Sequence, residues 1–310
     1  MKVVIAGGSG FLGAPLAEAY AEESHDVRVL TRALAPGESR HDSGTGVPGI
    51  TRVGWSGDGA SGPWAAVLEG ADAVINLSGE SIDRGRWTPQ RKARIRDSRI
   101  LATRSLSTAI LAAASPPAVF VSGSAVGYYG NTGSPPVTES SPPGQDFLAR
   151  ACDDWEAEAH RAGAAGIRVA VVRTGVVLES AGGALPQMIL PYRFFVGGPL
   201  GSGRQYVSWV HRLDWMEIVR WIVQTPDARG PVNATAPHPV TSRELATAIG
   251  HAVHRPSLVP VPAFALRIAV GEMADALLTG QRVIPERALA LGYHFRYPDI
   301  GQAMRGIFGV

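Results

Sequence analysis

The sequence predicts an α/β fold with a doubly wound parallel sheet, followed by a smaller, mostly helical C-terminal portion. Apolar, β-branched runs without polar alternation predict strands covered on both faces. These runs are Val3–Ala6, Val27–Leu30, Ala73–Leu77, Ala118–Ser122 and Val169–Arg173. Helical patterns separate the runs, and this alternation is typical of a parallel sheet. The predicted helices lie near Leu12–Glu23, Pro89–Ala114 and Phe147–Ala162.

The predicted elements divide the chain into two portions. We expect residues 1–180 to form the sheet domain, with 207–235 returning to it, and residues 181–206 and 236–310 to form the C-terminal portion. Between Ala35 and Pro63 only Ile50–Trp55 has a weak strand pattern, so this segment is interpreted as a long surface connection.

Two helix starts have clear capping signals. Thr88 and Pro89 supply an N-cap and an N1 proline for the long middle helix, and Thr241 can cap Ser242–Val253. Helical patterns then continue through Ala263–Leu278 to Met304.

Composition excludes several functional classes. The chain has 310 residues and a formal net charge of +2, with no long basic tract, so nucleic acid is not expected as a main partner. Cys152 is the only cysteine, which excludes an internal disulfide and favours the reducing cytoplasm. The longest apolar stretches carry charges at intervals, so no membrane segment is expected.

A glycine-rich loop follows the first predicted strand and opens the first helix. Gly7 permits a sharp turn, Gly10 allows close approach of a pyrophosphate, and Gly13 lets the helix lie close to the sheet. This pattern predicts a Rossmann-type dinucleotide site, and the alternative is a purely structural turn. The expected cofactor-binding residues are Gly7, Gly8, Ser9, Gly10, Phe11, Leu12, Gly13, Thr31, Arg32, Leu77, Ser78, Gly79 and Ser122.

The end of the second strand favours NADP over NAD. An NAD-binding fold usually offers a carboxylate to the ribose 2′-hydroxyl there, but this chain has Thr31 and Arg32. A guanidinium can pair with a 2′-phosphate. The alternative is a solvated arginine at the start of a loop.

Several longer motifs lie along the chain. They are Asn76-Leu77-Ser78-Gly79, Arg86-Trp87-Thr88-Pro89, Ser98-Arg99, Val121-Ser122-Gly123-Ser124-Ala125, Ala125-Val126-Gly127-Tyr128-Tyr129-Gly130, Trp155-Glu156 and Gly280-Gln281-Arg282-Val283-Ile284-Pro285. With these motifs the chain resembles the extended short-chain dehydrogenase/reductases. Within that superfamily it is similar to an atypical branch, epimerase/dehydratase-like, with a C-terminal segment of unknown function. The resemblance covers nearly the whole chain and implies a cofactor fold.

The resemblance also shows where the chain departs from typical members. Matching Ser124 and Glu156 to the family pattern puts Leu148 at the position of the usual catalytic tyrosine and Cys152 at that of the lysine. Arg99 falls where an asparagine is usual.

Four side chains remain as catalytic candidates: Ser124, Cys152, Arg99 and Tyr128. Ser124 could hydrogen-bond a substrate carbonyl. Cys152 beside Arg99 could have a lowered pKa and act as acid, base or nucleophile; the alternative is a packed thiol. Tyr128, or Tyr129 in its place, could supply a phenol from the loop; the alternative is an aromatic ring packed against the cofactor cleft.

Several residues in the second half of the chain are further candidates for the site. Typical epimerases place an arginine for the substrate diphosphate where this chain has Val207, and Arg204 or Arg193 could reach the same place. His211, between a strand and a helix, is predicted to be structural. No metal site is expected, because His251 and His254 lack a third ligand nearby.

Two functional hypotheses remain open at this point. One is an NADP-dependent oxidoreductase or epimerase-like enzyme that acts on a small polar or carbonyl substrate. The other is a regulatory or scaffold protein that binds NADP without catalysis. The helices Pro89–Ala114 and Phe147–Ala162 match a pair that often forms a dimer interface in the superfamily, so a homodimer and a monomer are both open.

Overall fold

A computed structural model describes residues 1–41, 49–83 and 85–309. The large sheet has the strand order β12-β8-β6-β5-β1-β2-β4-β3, and all its neighbouring strands are parallel except β3 and β4. The predicted doubly wound parallel sheet is therefore confirmed. Its strands are β1 (Lys2–Ala6), β2 (Asp26–Thr31), β3 (Ser39–His41), β4 (Ile50–Gly54), β5 (Ala73–Asn76), β6 (Val119–Ala125), β8 (Arg168–Thr174) and β12 (Gly230–Ala234).

Helices cover both faces of this sheet. The first face packs under α1 and α5 in one apolar cluster, and the second packs under α2 and α3 in another. The helices are α1 (Gly13–Glu22), α2 (Pro89–Ala112), α3 (Phe147–His160), α4 (Leu185–Arg193), α5 (Arg212–Gln224), α6 (Ser242–Ala252), α7 (Ala263–Val270), α8 (Met273–Leu278), α9 (Glu286–Ala290) and α10 (Ile300–Phe308). Both predicted caps are confirmed, because Thr88 accepts from Arg91 N and Thr241 forms a capping box with Glu244.

The interpretation of Ala35–Pro63 as a surface connection is wrong for its second half. Strand β4 pairs with β2, and Ile50 and Val53 are 5% and 2% exposed. The weak pattern at Ile50–Trp55 therefore marked a buried strand, which the surrounding Gly and Ser residues obscured. Residues 42–48 of the same segment lie outside the described residues.

Short strand pairs connect the remaining segments. They join β9 to β11, β10 to β13, and β7 to β14. Their bounds are β7 (Pro136–Val137), β9 (Val176–Leu178), β10 (Tyr206–Val207), β11 (Trp209–His211), β13 (Val240–Thr241) and β14 (Arg282–Val283). The last pair brings the segment after α8 against the loop that follows β6 and thus places it near the carboxyl end of the sheet.

The C-terminal portion is mostly helical, as predicted, but the pattern over Ala263–Leu278 is not one helix. Gly271 has a φ of 64° and ends α7 before α8 begins. Helix α7 contains no buried residue, whereas α6 and α10 share an apolar cluster that includes Leu245 and Met304. The proposed division into residues 1–180 with 207–235, and 181–206 with 236–310, stays a prediction.

Candidate functional site

The carboxyl ends of β1 and β5 define a crevice in the sheet. Strand β1 lies between β2 and β5, so the chain turns to opposite sides of the sheet after β1 and β5. In doubly wound sheets ligands bind at such a switch point. The glycine loop after β1 and the segment after β5 meet there: a Cβ on Gly7 would lie 2.7 Å from the carbonyl carbon of Leu77.

Gly7 and Gly13 of the loop each have a structural reason to be glycine. Gly7 has a φ of 81°, which favours glycine. A Cβ on Gly13 would lie 2.2 Å from the carbonyl oxygen of Gly7, so only glycine lets α1 start this close to the strand. Gly10 donates its N–H to that same oxygen at 3.0 Å. Within the described residues, the N–H groups of Phe11 and Leu12 have no backbone acceptor, as expected where a helix begins.

A crevice of about 230 Å³ unites most of the predicted cofactor residues. The predicted residues that line it are Gly7, Ser9, Gly10, Thr31, Arg32, Leu77, Ser78 and Gly79. Those that do not line it are Gly8, Phe11, Leu12, Gly13 and Ser122. Gly8 and Gly13 pack against neighbouring atoms, and Ser122 is buried within β6. Phe11 packs against Gly182 and Gly183 instead of facing the crevice.

The crevice also has walls that the sequence analysis missed. They are Leu30, Trp55, Ser56, Gly57, Glu80, Ser98 and Ala102. Trp55 and Gly57 follow β4, so the misinterpretation of Ala35–Pro63 hid them. The only available signal was the strand pattern ending in a large aromatic residue.

Arg32 lies exposed on this crevice. In the part of the chain that the structure describes, no carboxylate pairs with its guanidinium and no hydrogen bond engages it. Thr31, beside it, is mostly buried, and its Oγ1 accepts a hydrogen bond from Ala33 N at 3.2 Å. The crevice therefore has a positive charge at the end of β2 that no described carboxylate neutralises.

Leu148 and Cys152, which stand in place of the usual tyrosine and lysine, lie against the turn after β6. A Cβ on Gly127 would lie 3.2 Å from Leu148 Cβ and 4.0 Å from Cys152 Sγ. Cys152 is 5% exposed, and burial raises the pKa of its thiol to about 12, although Arg99 acts in the opposite direction. The expectation of a lowered pKa for Cys152 is therefore wrong, because the cost of burying a thiolate exceeds the attraction of the guanidinium.

Arg99 itself is held by backbone oxygens. Its Nη1 donates to Glu80 O at 3.0 Å and to Ile95 O at 2.8 Å. The guanidinium carbon lies 5.3 Å from the ring centroid of Trp155, and burial lowers the pKa of the side chain. Arg99 thus connects α2 to the segment after β5, and it does not activate the thiol.

Ser124 is not placed as a donor to a substrate carbonyl. It is 4% exposed, and its Oγ donates to Glu156 Oε1 at 2.6 Å. A serine hydroxyl carries one proton. Because Ser124 donates this proton to the Glu156 carboxylate, it has none left to donate to a substrate carbonyl. This corrects the expected role of Ser124.

Tyr128 is half-buried, and its O–H donates to no atom within the described residues. The guanidinium carbon of Arg173 lies 3.5 Å from its ring centroid. Burial raises the pKa of Tyr128, whereas Arg173 acts to lower it. Of the four catalytic candidates, Tyr128 is therefore the one with an uncommitted proton.

Three other predicted residues have simpler placements. His211 is structural, as predicted: its Nδ1 accepts from Leu213 N at 3.0 Å and caps α5. Arg193 and Arg204 are exposed, near or beyond the end of α4. Among the described residues, no group of His, Cys, Asp or Glu is arranged to hold a metal ion, and no helix is long and apolar enough to cross a membrane.

The sheet topology, the glycine loop and the crevice define a dinucleotide-binding protein of the Rossmann type. The chain belongs to the NAD dependent epimerase/dehydratase family, whose model matches residues 3–234. A second family model, described as a domain of unknown function (DUF1731), matches residues 261–307. Both the resemblance and the distinctive C-terminal segment are thereby confirmed.

Relatives of the same family extend over the whole chain. An epimerase family protein SDR39U1 homolog from Arabidopsis thaliana, described as chloroplastic, is 40% identical over 309 residues, which cover 99% of this chain and 86% of the relative. Epimerase family protein Mb2239 from Mycobacterium bovis is 41% identical over 305 residues, with 97% and 96% covered. A crystal structure of human epimerase family protein SDR39U1 with NADPH has a TM-score of 0.88 and 34% identity, and the match covers 100% of this chain and 99% of that one.

Proposed function

We propose that this protein is an NADPH-dependent, epimerase-like oxidoreductase that acts on a small polar or carbonyl substrate. The observation that carries the choice of NADP is the Arg32 guanidinium on the crevice, which pairs with no carboxylate of the described residues. A 2′-phosphate is the group of NADP that NAD lacks, and a free guanidinium is suited to bind it.

The residues that line the crevice are suited to the phosphates of a dinucleotide. Ser9 and Gly10 line it, and the next two amides, those of Phe11 and Leu12 at the start of α1, have no backbone acceptor among the described residues. These amides can meet pyrophosphate oxygens, where the helix dipole favours negative charge. A side chain on Gly10 would project where the pyrophosphate must approach. Arg32 and Thr31 would hold the 2′-phosphate end. When bound, NADPH supplies a hydride. The human relative crystallised with NADPH supports the same assignment.

Titration with NADPH and NADH, followed by ligand fluorescence, tests the cofactor. Replacing Arg32 with Ala removes one charge-assisted interaction, so NADPH should bind about 10- to 100-fold more weakly while NADH is unaffected. The matched control is Arg305→Ala, which removes an exposed arginine of α10 that does not line the crevice. Equal losses for both dinucleotides, or none for NADPH, would contradict the NADP assignment.

A second candidate function is NADP binding without turnover, in a regulatory or scaffold protein. Leu148 and the buried Cys152 at the usual tyrosine and lysine positions favour it. The two candidates differ in one readout: the enzyme consumes NADPH with a carbonyl compound, whereas the scaffold binds NADPH and leaves it unchanged.

Partners and location are also proposals. A small-molecule substrate is proposed, with no role for nucleic acid or membranes. The surfaces of α2 and α3 could support a homodimer; sedimentation showing a single species near 33 kDa would exclude a stable one. A single cysteine fits the cytoplasm; the Arabidopsis relative is described as chloroplastic.

A further inference from the structure

A buried ion pair lies beneath the candidate catalytic residues. Arg173, near the end of β8, donates from Nε to Glu156 Oε1 at 2.9 Å and from Nη2 to Oε2 at 2.8 Å. The two side chains are 3% and 6% exposed. This two-point geometry fixes the plane of the guanidinium as well as its position.

Each partner of the pair holds one candidate. Glu156 Oε1 accepts a hydrogen bond from Ser124 Oγ at 2.6 Å. The guanidinium carbon of Arg173 lies 3.5 Å from the ring centroid of Tyr128, and Arg173 Nη1 also donates to the hydroxyl of Tyr129 at 2.9 Å. One ion pair therefore sets the orientation of Ser124 and Tyr128 together.

The hydroxyl proton of Tyr129 is already used in a hydrogen bond within the same network. Its hydroxyl donates to Asn233 Oδ1 at 2.7 Å, and the residue is 2% exposed. Tyr128 is the neighbour with a phenol proton that no described atom accepts. The other charged groups facing Tyr128 are Asp153 and Glu156 from α3.

An apolar pair of similar volume would stabilise a protein core as well as a buried ion pair does, or better. The position of this pair is consistent with a different role. A cation against the face of an aromatic ring is attracted to it and stabilises the negative charge that develops when the phenol gives up its proton.

We infer that Arg173 and Glu156 are positioning residues that make Tyr128, and not Ser124, the proton donor to the substrate. Arg173 orients the Tyr128 ring and supplies the positive charge that the absent lysine supplies in typical members. Glu156 holds Arg173 in place and accepts the hydrogen bond that Ser124 donates, so that Ser124 has no proton left for the substrate. This assignment rests on the proposed function for its reaction.

The step balances as a carbonyl reduction. The carbonyl carbon gains a hydride from NADPH, which forms the new C–H bond and leaves NADP⁺. The carbonyl oxygen gains the proton of Tyr128, and the resulting phenolate is reprotonated from solvent. Arg173 and Glu156 transfer nothing in this step.

Titration of Tyr128 tests the positioning role without any substrate. The protein is labelled with tyrosine carrying ¹³C at Cζ, and the Tyr128 signal is assigned by its loss in Tyr128→Phe. The double variant Arg173→Met with Glu156→Gln removes both charges together and keeps an amide oxygen for Ser124. We expect the pKa of Tyr128 to rise by at least one unit in this variant. Arg173→Lys keeps the charge and should move it less.

Tyr206 is the internal control, because its ring lies 5.5 Å from a different guanidinium, that of Arg282. Its chemical shift at neutral pH should be the same in wild type and variants. A Tyr128 titration unchanged in a folded double variant overturns the inference. If the double variant does not fold, Arg173→Gln decides, because it removes the charge and keeps amide donors for Glu156: a Tyr128 signal with the same chemical shift and pKa as in wild type overturns the inference.

Turnover with 4-nitrobenzaldehyde and NADPH tests the choice of donor. Tyr128→Phe should lower kcat at least 100-fold with little change in NADPH binding, whereas Ser124→Ala should lower it less than 10-fold. The reverse order overturns the inference. If wild type binds NADPH but does not consume it with the probe, the proposed reaction is not supported for this class of carbonyl, and the Tyr128 titration alone decides the role of the ion pair.

Discussion

Two glycines of the same loop should fail in different ways when replaced by alanine. A Cβ on Gly13 would lie 2.2 Å from the carbonyl oxygen of Gly7 and 2.8 Å from the Cα of Gly8. Both are backbone atoms, so the loop or α1 must move. A Cβ on Gly10 has one close neighbour, the same oxygen at 3.3 Å. Neither glycine has a positive φ, so the difference between them is one of contacts alone.

The expected magnitudes follow from these contacts. Overpacking costs about 1 to 3 kcal/mol, and a clash with backbone puts Gly13→Ala at the upper end, roughly 3 kcal/mol in the free energy of unfolding. Gly10→Ala should change it by less than about 1 kcal/mol. The same Cβ stands in the path of the pyrophosphate, so Gly10→Ala should weaken NADPH binding at least 10-fold, or about 1.4 kcal/mol.

Urea unfolding and NADPH titration of both variants separate the two effects. The free energy of unfolding should fall for Gly13→Ala, and the dissociation constant should rise for a Gly10→Ala protein of nearly normal stability. Gly70→Ala is not a suitable control because Gly70 has a φ of 62°; Gly163→Ala is, because its Cβ would meet only the Val169 side chain, at 3.9 Å. If Gly10→Ala lost as much stability as Gly13→Ala, or Gly13→Ala lost none, the steric reasoning would be refuted.

Two further predictions concern single titratable groups. Because the pKa of Cys152 is raised to about 12 by burial, iodoacetamide should label the folded protein at pH 8 at least 100-fold more slowly than the unfolded protein; equal rates would show an accessible thiolate. Burial lowers the pKa of His211 to about 4 from its ordinary 6.5, so the unfolded state binds the proton first as pH falls. The free energy of unfolding should therefore drop as pH falls from about 6.5 towards 4, by up to about 3 kcal/mol. His211→Asn keeps an N-cap acceptor, and urea unfolding of this variant should lack that component; an identical pH dependence would contradict the assignment.

The sequence predicted those parts of the fold in which the signal is local. Thr88 and Thr241 precede their helices directly, and a cap needs only the residues that follow it. The glycine loop was also recognisable, because its strand, turn and helix are contiguous. Strand β4 was missed as a buried element because its burial depends on pairing with β2, and the Gly- and Ser-rich flanks gave the opposite indication.

The candidate site was less predictable, because its charged groups interact with partners on other helices and strands that are distant in the sequence. The sequence placed Cys152 beside Arg99 and suggested a lowered thiol pKa, but depth of burial, which no local pattern reports, decides the direction of the shift. The orientation of the Ser124 proton likewise depends on Glu156, 32 residues away. One usable signal was overlooked: Arg173 ends a run of apolar residues in a strand predicted to be covered on both faces.

A charge in such a strand must find a partner, since an unpaired buried guanidinium would be prohibitively costly. Helix α3 folds against the end of β8 and supplies that partner, Glu156. The same helix carries Leu148 and Cys152 where typical members carry tyrosine and lysine. The neighbouring strand β8 nevertheless supplies a positive charge at the site, and the aromatic ring whose centroid lies nearest to that charge is Tyr128.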